Sequence, residues 1–240
     1  MLFNSLSFAV FMTVVFLIYW LVPAKYRYIV VLAADCYFYL GFGVRNFLLL
    51  CVVSVVTYIG ALLMEKCEGG LRKLCFGVPF AVSLGLLLVF KYFNFAGQVL
   101  SDALGVFGIG FTPAVLKIAA PIGISFYTFK VISYMVEVYR GKLPAQRNFA
   151  KYAVYVSFFP QIASGPIERP APFFAELERE NTFSYDKACD AVKLMAVGFF
   201  KKMIVADLLS GYVTKVFSNV SAYDGFALMA AAFLFSIQIY

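Results

Sequence analysis

Long uncharged apolar runs separated by short charged loops set the pattern of this chain. The first covers residues 3–22 and stops at Pro23, with Lys25 and Arg27 behind it. Further runs cover 28–44, interrupted by Asp35, then 46–64, and 74–93, where Lys91 closes the apolar stretch. Two more cover 118–139, with Lys130 and Glu137 inside it, and 225–240, which is apolar to its end. Each is near the ~20 residues a helix needs to cross a ~30 Å hydrocarbon core. The pattern therefore predicts six membrane spans.

The stretches between them read differently. Gly97, Gly105, Gly108, Gly110 and Pro113 predict a loop or short interfacial pieces over 95–117. Residues 152–167 are uncharged but hold Pro160 and Gly165-Pro166. That predicts a broken or re-entrant element, which survives at membrane depth only where protein or a water-filled cavity covers its backbone. Residues 168–193 are the most polar of the chain, and Thr182, Ser184 and Asp186 signal a helix start. Residues 188–209 predict an amphipathic segment. The fold class is an all-α polytopic membrane protein, with 1–240 as a single membrane domain.

Composition agrees. Of the 240 residues 63% are hydrophobic and 14% charged, against about 45–50% and about 25% in soluble domains. A disordered chain, a coiled coil and an ordinary soluble enzyme are excluded. The net charge of +7 would suggest nucleic-acid binding in a soluble protein. Here the basic residues sit in short loops, and the reading is no nucleic-acid partner. With Lys25 and Arg27 in the cytoplasm, the 65–73 and 140–151 loops fall inside too, leaving Arg45, Asp102 and Lys117 outside. The N-terminus is then outside. Residues 1–22 carry no charge and no cleavage site precedes Lys25, so they read as a retained helix. The five cysteines, Cys36, Cys51, Cys67, Cys75 and Cys189, are odd in number and form no CxxC. They read as free thiols acting as small hydrophobes. There is no histidine, so imidazole chemistry and a metal site are not expected.

Ionisable residues within spans are costly and are candidates for function. Lys130 and Glu137 lie seven residues apart on one helix face, with Tyr127 and Tyr134 beside them. They read as a hydrophilic path or, on the structural alternative, as a salt bridge holding the bundle. The stretch 157–170 combines Pro160 with Gln161, Ser164, Gly165, Pro166, Glu168 and Arg169; it reads as cavity-lining backbone, or as an ordinary loop entering the bilayer. Asp35 is either functional or a charge near a helix end. Lys91 reads as snorkelling to the interface, and Lys201-Lys202 with Asp207 as headgroup contact. No Gly-rich nucleotide loop, HExxH or nucleophile elbow occurs.

At these residues the chain resembles the membrane-bound O-acyltransferase (MBOAT) family, in particular its bacterial alginate O-acetyltransferase branch. The resemblance rests on ordered blocks: FKYFNF at 90–95, PIGISFYTFKVISYMVEVYRG at 121–141, YAVYVSFFPQIASGPIERP at 152–170, GFFKKMIVADLL at 198–209 and SIQIY at 236–240. It implies a multi-helix bundle around a central funnel, in a multi-pass protein of the bacterial inner membrane. It implies acyl transfer, usually acetyl, from a cytoplasmic donor to hydroxyls of an extracytoplasmic polysaccharide such as alginate or of a cell-wall polymer. The donor would be acetyl-CoA or an acyl-carrier thioester, with no bound cofactor. Implied partners are the lipid bilayer, the polymer acceptor, and a periplasmic acetyl-relay protein or a cytoplasmic acyl carrier. The family's histidine would be the general base, and in relatives it follows the stretch after QIY. The expectation is thus an N-terminal portion, truncated after Tyr240 and inactive alone, in which Tyr127, Lys130, Tyr134, Glu137 and the 161–169 residues line or support the funnel. A transporter or channel, and a non-enzymatic membrane scaffold, are the alternative readings.

Overall fold

The computed structural model describes residues 5–107, 110, 120–163 and 165–240. Residues 3–4 and 118–119 of two predicted spans, and most of 107–119, fall outside that set. Among the described residues the structure is helical, with no strand. Packing divides it into two compact units, one of Met12–Glu180 and one of Asn181–Tyr240 with the start of the first helix through Phe11.

α1 (Leu6–Leu21), which belongs to the first unit from Met12 onward, carries no charge and leads into α2 (Arg27–Leu40). The Arg27 guanidinium caps this turn by stacking on Tyr19 and Trp20, 5.2 and 4.6 Å from the ring centroids. α3 (Val44–Lys66) and α4 (Gly69–Val106) are long and apolar enough to cross a membrane. The 23 residues of α3 extend about 34 Å. Its outer stripe of Leu48, Val52, Val55 and Ile59 is exposed, a surface that lipid accommodates and water does not. α1, α2 and α5 (Ile124–Tyr139) have 16, 14 and 16 residues, shorter than the runs predicted for them. The start of α5 moves from the predicted 118 to Ile124 because Pro121 and Gly123 form a turn, with Gly123 at φ +76.

The predicted loop over 95–117 is corrected in its first part. α4 continues through Gly97 and Gly105 to Val106. A lone glycine costs a helix only about 1 kcal/mol, and no proline follows Pro79 before residue 113. Pro79 itself lacks the N–H that would bond the Cys75 carbonyl. Gly60 of α3 packs against that site so closely that an added Cβ would lie 2.5 Å from Pro79 Cγ.

α3 lies against α2, α4, α5 and α6 (Phe149–Ser157). α6 is capped by Asn148, whose side chain accepts from the Ala150 and Lys151 N–H groups. It is tied to α3 by a 2.7 Å hydrogen bond between the Thr57 and Tyr152 hydroxyls. A short α7 (Phe159–Ile162) and α8 (Pro170–Glu178) complete the unit. Its core is aromatic: Tyr39, Tyr127, Tyr134, Tyr152 and Tyr155 are all fully buried.

The second unit is a hairpin. α9 (Tyr185–Phe200), started by the Ser184 cap, runs through a π-helical stretch at Lys201–Ala206 into α10 (Asp207–Phe217). The predicted amphipathic segment 188–209 falls within this continuous helix. α11 (Gly225–Ile239), capped by Asp224, packs back on α10.

Candidate functional site

The break between α6 and α7 is where the buried charges converge. Phe158, at φ −42 and ψ 102, interrupts the helix, and Pro160 follows in the first turn of α7. In an unbroken helix the Phe159 N–H would donate to the Tyr155 carbonyl. Here Asp35 Oδ1 on α2 accepts the Phe159 N–H at 2.7 Å, while Lys130 Nζ on α5 donates to the Tyr155 carbonyl at 3.1 Å. One peptide hydrogen bond is thus split between a carboxylate and an ammonium, both buried at 0% and 1% exposure. Asp35 Oδ2 also accepts the Ser157 hydroxyl at 3.1 Å.

From Lys130 the polar chain runs on. Its Nζ donates to Gln161 Oε1 at 2.8 Å, and Gln161 Nε2 donates to Glu168 Oε2 at 2.9 Å. A neutral amide therefore links cation to carboxylate. The ammonium lies over the rings of Tyr155, Phe158 and Phe173, 5.4–5.9 Å from their centroids, where the ring quadrupoles stabilise it. The Tyr155 hydroxyl lies 3.2 Å from the backbone carbonyls of both Lys130 and Glu168. The middle of α5 and the segment leading into α8 are thereby brought to one side chain.

The sequence-predicted residues divide accordingly. Lys130, Gln161 and Glu168 come together. Tyr127 and Tyr134 are buried on the same helix face. The Tyr134 hydroxyl accepts the Gln146 N–H at 2.9 Å, and its ring packs on Tyr152 with centroids 4.8 Å apart. Glu137 is only partly buried and stands about 10 Å along the helix axis from Lys130. Gly165 closes onto Gln161: its N–H donates to the Gln161 carbonyl at 2.8 Å, and a Cβ would lie 2.4 Å from Gln161 Cα. Pro166 and Arg169 are exposed on the strand of chain leading into α8. Ser164 lies outside the described residues. Asp35, which the sequence left between a functional role and a charge near a helix end, is buried here on the released backbone N–H. Its signal was present: Pro160 forces a break in an apolar run, and a buried carboxylate is an acceptor for the N–H such a break releases.

A cavity of about 590 Å³ opens elsewhere in this unit, where Glu65, Lys66, Glu68 and Arg72 face Arg147 and the 141–144 turn. Glu65 is committed, pairing with Arg147 at 2.5 Å and accepting the Ala145 N–H. Arg72 donates to the Tyr139 carbonyl at 2.7 Å, and its Nε is buried with no hydrogen-bond partner among the described residues. Nearby, Lys151 and Glu178 pair at 2.8 Å, and that hydrogen bond holds the Glu178 carboxyl below its ordinary value. In the second unit Lys202 pairs with Asp207, and Lys201 lies 4.8 Å from the Tyr240 ring centroid. The described residues include no cluster of His, Cys, Asp and Glu able to hold a metal ion.

The chain is similar to known proteins along its whole length. It is 34% identical over all its residues to the probable alginate O-acetylase AlgI of Azotobacter vinelandii, covering 48% of that protein. The corresponding protein of Pseudomonas aeruginosa is also 34% identical over the full chain, with 46% of it covered. A peptidoglycan O-acetyltransferase of Helicobacter pylori is 23% identical over 86% of the chain, with 44% of it covered. The chain spans about half the length of these curated relatives. No family model and no solved structure matches it.

Proposed function

We propose that this chain, which belongs with the alginate O-acetylases to the membrane-bound O-acyltransferase family, forms part of the membrane bundle of an O-acetyltransferase. The reading is carried by the similarity along the whole chain to the alginate O-acetylases. The acceptor is a hydroxyl of an extracytoplasmic polysaccharide such as alginate, or of a cell-wall polymer; the donor is acetyl-CoA or an acyl-carrier thioester. In the transfer the hydroxyl oxygen forms an ester bond to the acyl carbon and the C–S bond breaks. The hydroxyl proton passes through a base and leaves with the thiol. The 240 residues contain no histidine, so these residues support the reaction without supplying an imidazole base.

The bundle is multi-pass in the bacterial inner membrane with the N-terminus outside, and its polar array of Lys130, Gln161 and Glu168 borders the funnel. On that orientation the cavity at Lys66, Arg72 and Arg147 faces the cytoplasm. Its cations and the unpartnered Arg72 Nε suit the phosphates of a CoA or phosphopantetheine donor. A periplasmic relay protein or a cytoplasmic acyl carrier would complete the pathway. Deletion of the gene should remove O-acetyl groups from the cell's polymer, measured by NMR of the isolated material, and the intact gene should restore them. Unchanged acetylation in the deletion strain would refute the proposal. The broken helix beside a buried lysine also suits a transporter; solute flux in proteoliposomes that vanishes in Lys130→Ala would favour that second reading.

A further inference from the structure

A helix interrupted in an apolar interior releases N–H and C=O groups, each of which costs about 1–3 kcal/mol when left unpaired. At Phe158 one severed pair is the Phe159 N–H and the Tyr155 carbonyl. They are taken by Asp35 and Lys130, which come from different helices and lie 95 residues apart in sequence. The sign of each charge fits its target: an acceptor meets the N–H and a donor meets the carbonyl. Lys130 then continues to Gln161, and Gln161 to Glu168. The geometry assigns Asp35 and Lys130 as a pair of positioning residues: by dividing one peptide hydrogen bond between them, they hold α7 open from α6 and fix the Gln161–Glu168 limb for acyl transfer. The positioning role rests on the acyltransferase reading; the divided hydrogen bond does not.

A plain buried ion pair and a divided peptide bond respond differently to substitution. An ion pair keeps its attraction when the charges are exchanged. In the divided bond, Asp35→Lys with Lys130→Asp sets an ammonium against an N–H and a carboxylate against a carbonyl, so both contacts become repulsive. Conversely Asp35→Asn abolishes the ion pair yet keeps an oxygen for the Phe159 N–H. Ser157→Ala removes the other ligand of Asp35 and leaves the divided bond intact.

The test uses the full protein in lipid nanodiscs, with two readouts: hydrogen exchange at the Phe159 amide, and acetyl transfer from a thioester donor. Asp35→Asn and Ser157→Ala should keep Phe159 protection within about threefold of the parent. Asp35→Leu should lower protection about 10- to 100-fold, the loss of one hydrogen bond to a charged group, and lower kcat with the donor KM unchanged. The charge-exchanged double variant should do no better than Asp35→Leu. Recovery of protection or transfer in the double variant overturns the inference. So does loss of protection in Asp35→Asn, a variant that decides the matter even if Asp35→Leu does not fold. If the parent transfers no acyl group the acyltransferase reading fails, while the exchange data still decide the divided bond.

Discussion

Gly123→Ala tests whether the site depends on close approach of α7 to the start of α5. Gly123 has φ +76, and an added Cβ would lie 2.2 Å from the Ile162 carbonyl oxygen and 3.1 Å from Ile162 Cγ1. Ordinary C···O contacts begin near about 3.3 Å, so the helices must separate by about 1 Å. That movement takes the 2.8 Å bond from Lys130 to Gln161 toward the end of hydrogen-bond range. The left-handed backbone costs alanine about 1–2 kcal/mol, and a lost charge-assisted bond adds about 1.5–3 kcal/mol. The expected destabilisation is about 2.5–5 kcal/mol. Gly141→Ala is the control: its φ is +68, but nothing lies within 4 Å of the added Cβ. It should lose only the backbone term of about 1–2 kcal/mol. Unfolding both variants with denaturant in mixed micelles measures the difference. Equal midpoints for the two would refute the close-approach argument.

Gly60→Ala should weaken the α3–α4 contact by about 1–3 kcal/mol, because the new Cβ meets Pro79 Cγ at 2.5 Å and the Cys75 carbonyl at 3.0 Å; thermal unfolding in detergent checks it. Tyr39→Phe removes the 2.6 Å bond to the Ile122 carbonyl and should cost about 1–2 kcal/mol, with faster exchange of the 120–124 amides as the local signature. Glu178 has its carboxyl lowered by the hydrogen bond from Lys151, so its contribution is complete above the unfolded glutamate value of about 4.3 and is lost as pH falls through the folded value. The Glu178 side chain is 49% exposed, so screening keeps the effect at or below about 1 kcal/mol. Lys151→Met should flatten the acid limb of the stability–pH curve, and an unchanged limb would refute the pairing.

Much of the site was legible because charges are rare in apolar runs. Lys130 stood out on that ground, Gln161 and Glu168 as parts of a proline-broken stretch, and the structure joins them. Glu137 shared the Lys130 face of α5 by periodicity, but a shared face says nothing of depth, and two turns carry it toward the end of that helix. Asp35 stood out equally, yet its partner is a backbone N–H 124 residues away, which no side-chain pattern displays. The extension of α4 to Val106 was hidden for a related reason. Glycines mark where a helix can end, while the tertiary contacts that decide whether it does are absent from local sequence.

Several buried polar groups of the first unit share a role toward the backbone. Asp35 and Lys130 serve the break at Phe158. The Tyr39 hydroxyl serves the Ile122 carbonyl in the turn before α5. Gly60 closes over the carbonyl that Pro79 leaves in α4. At each place a proline or a turn removes a backbone partner, and a side chain or a close approach from another part of the chain covers the gap. In an apolar medium such coverage is compulsory, because water is not there to provide it. The partner of a polar residue within these apolar runs is therefore best sought at the nearest proline or turn.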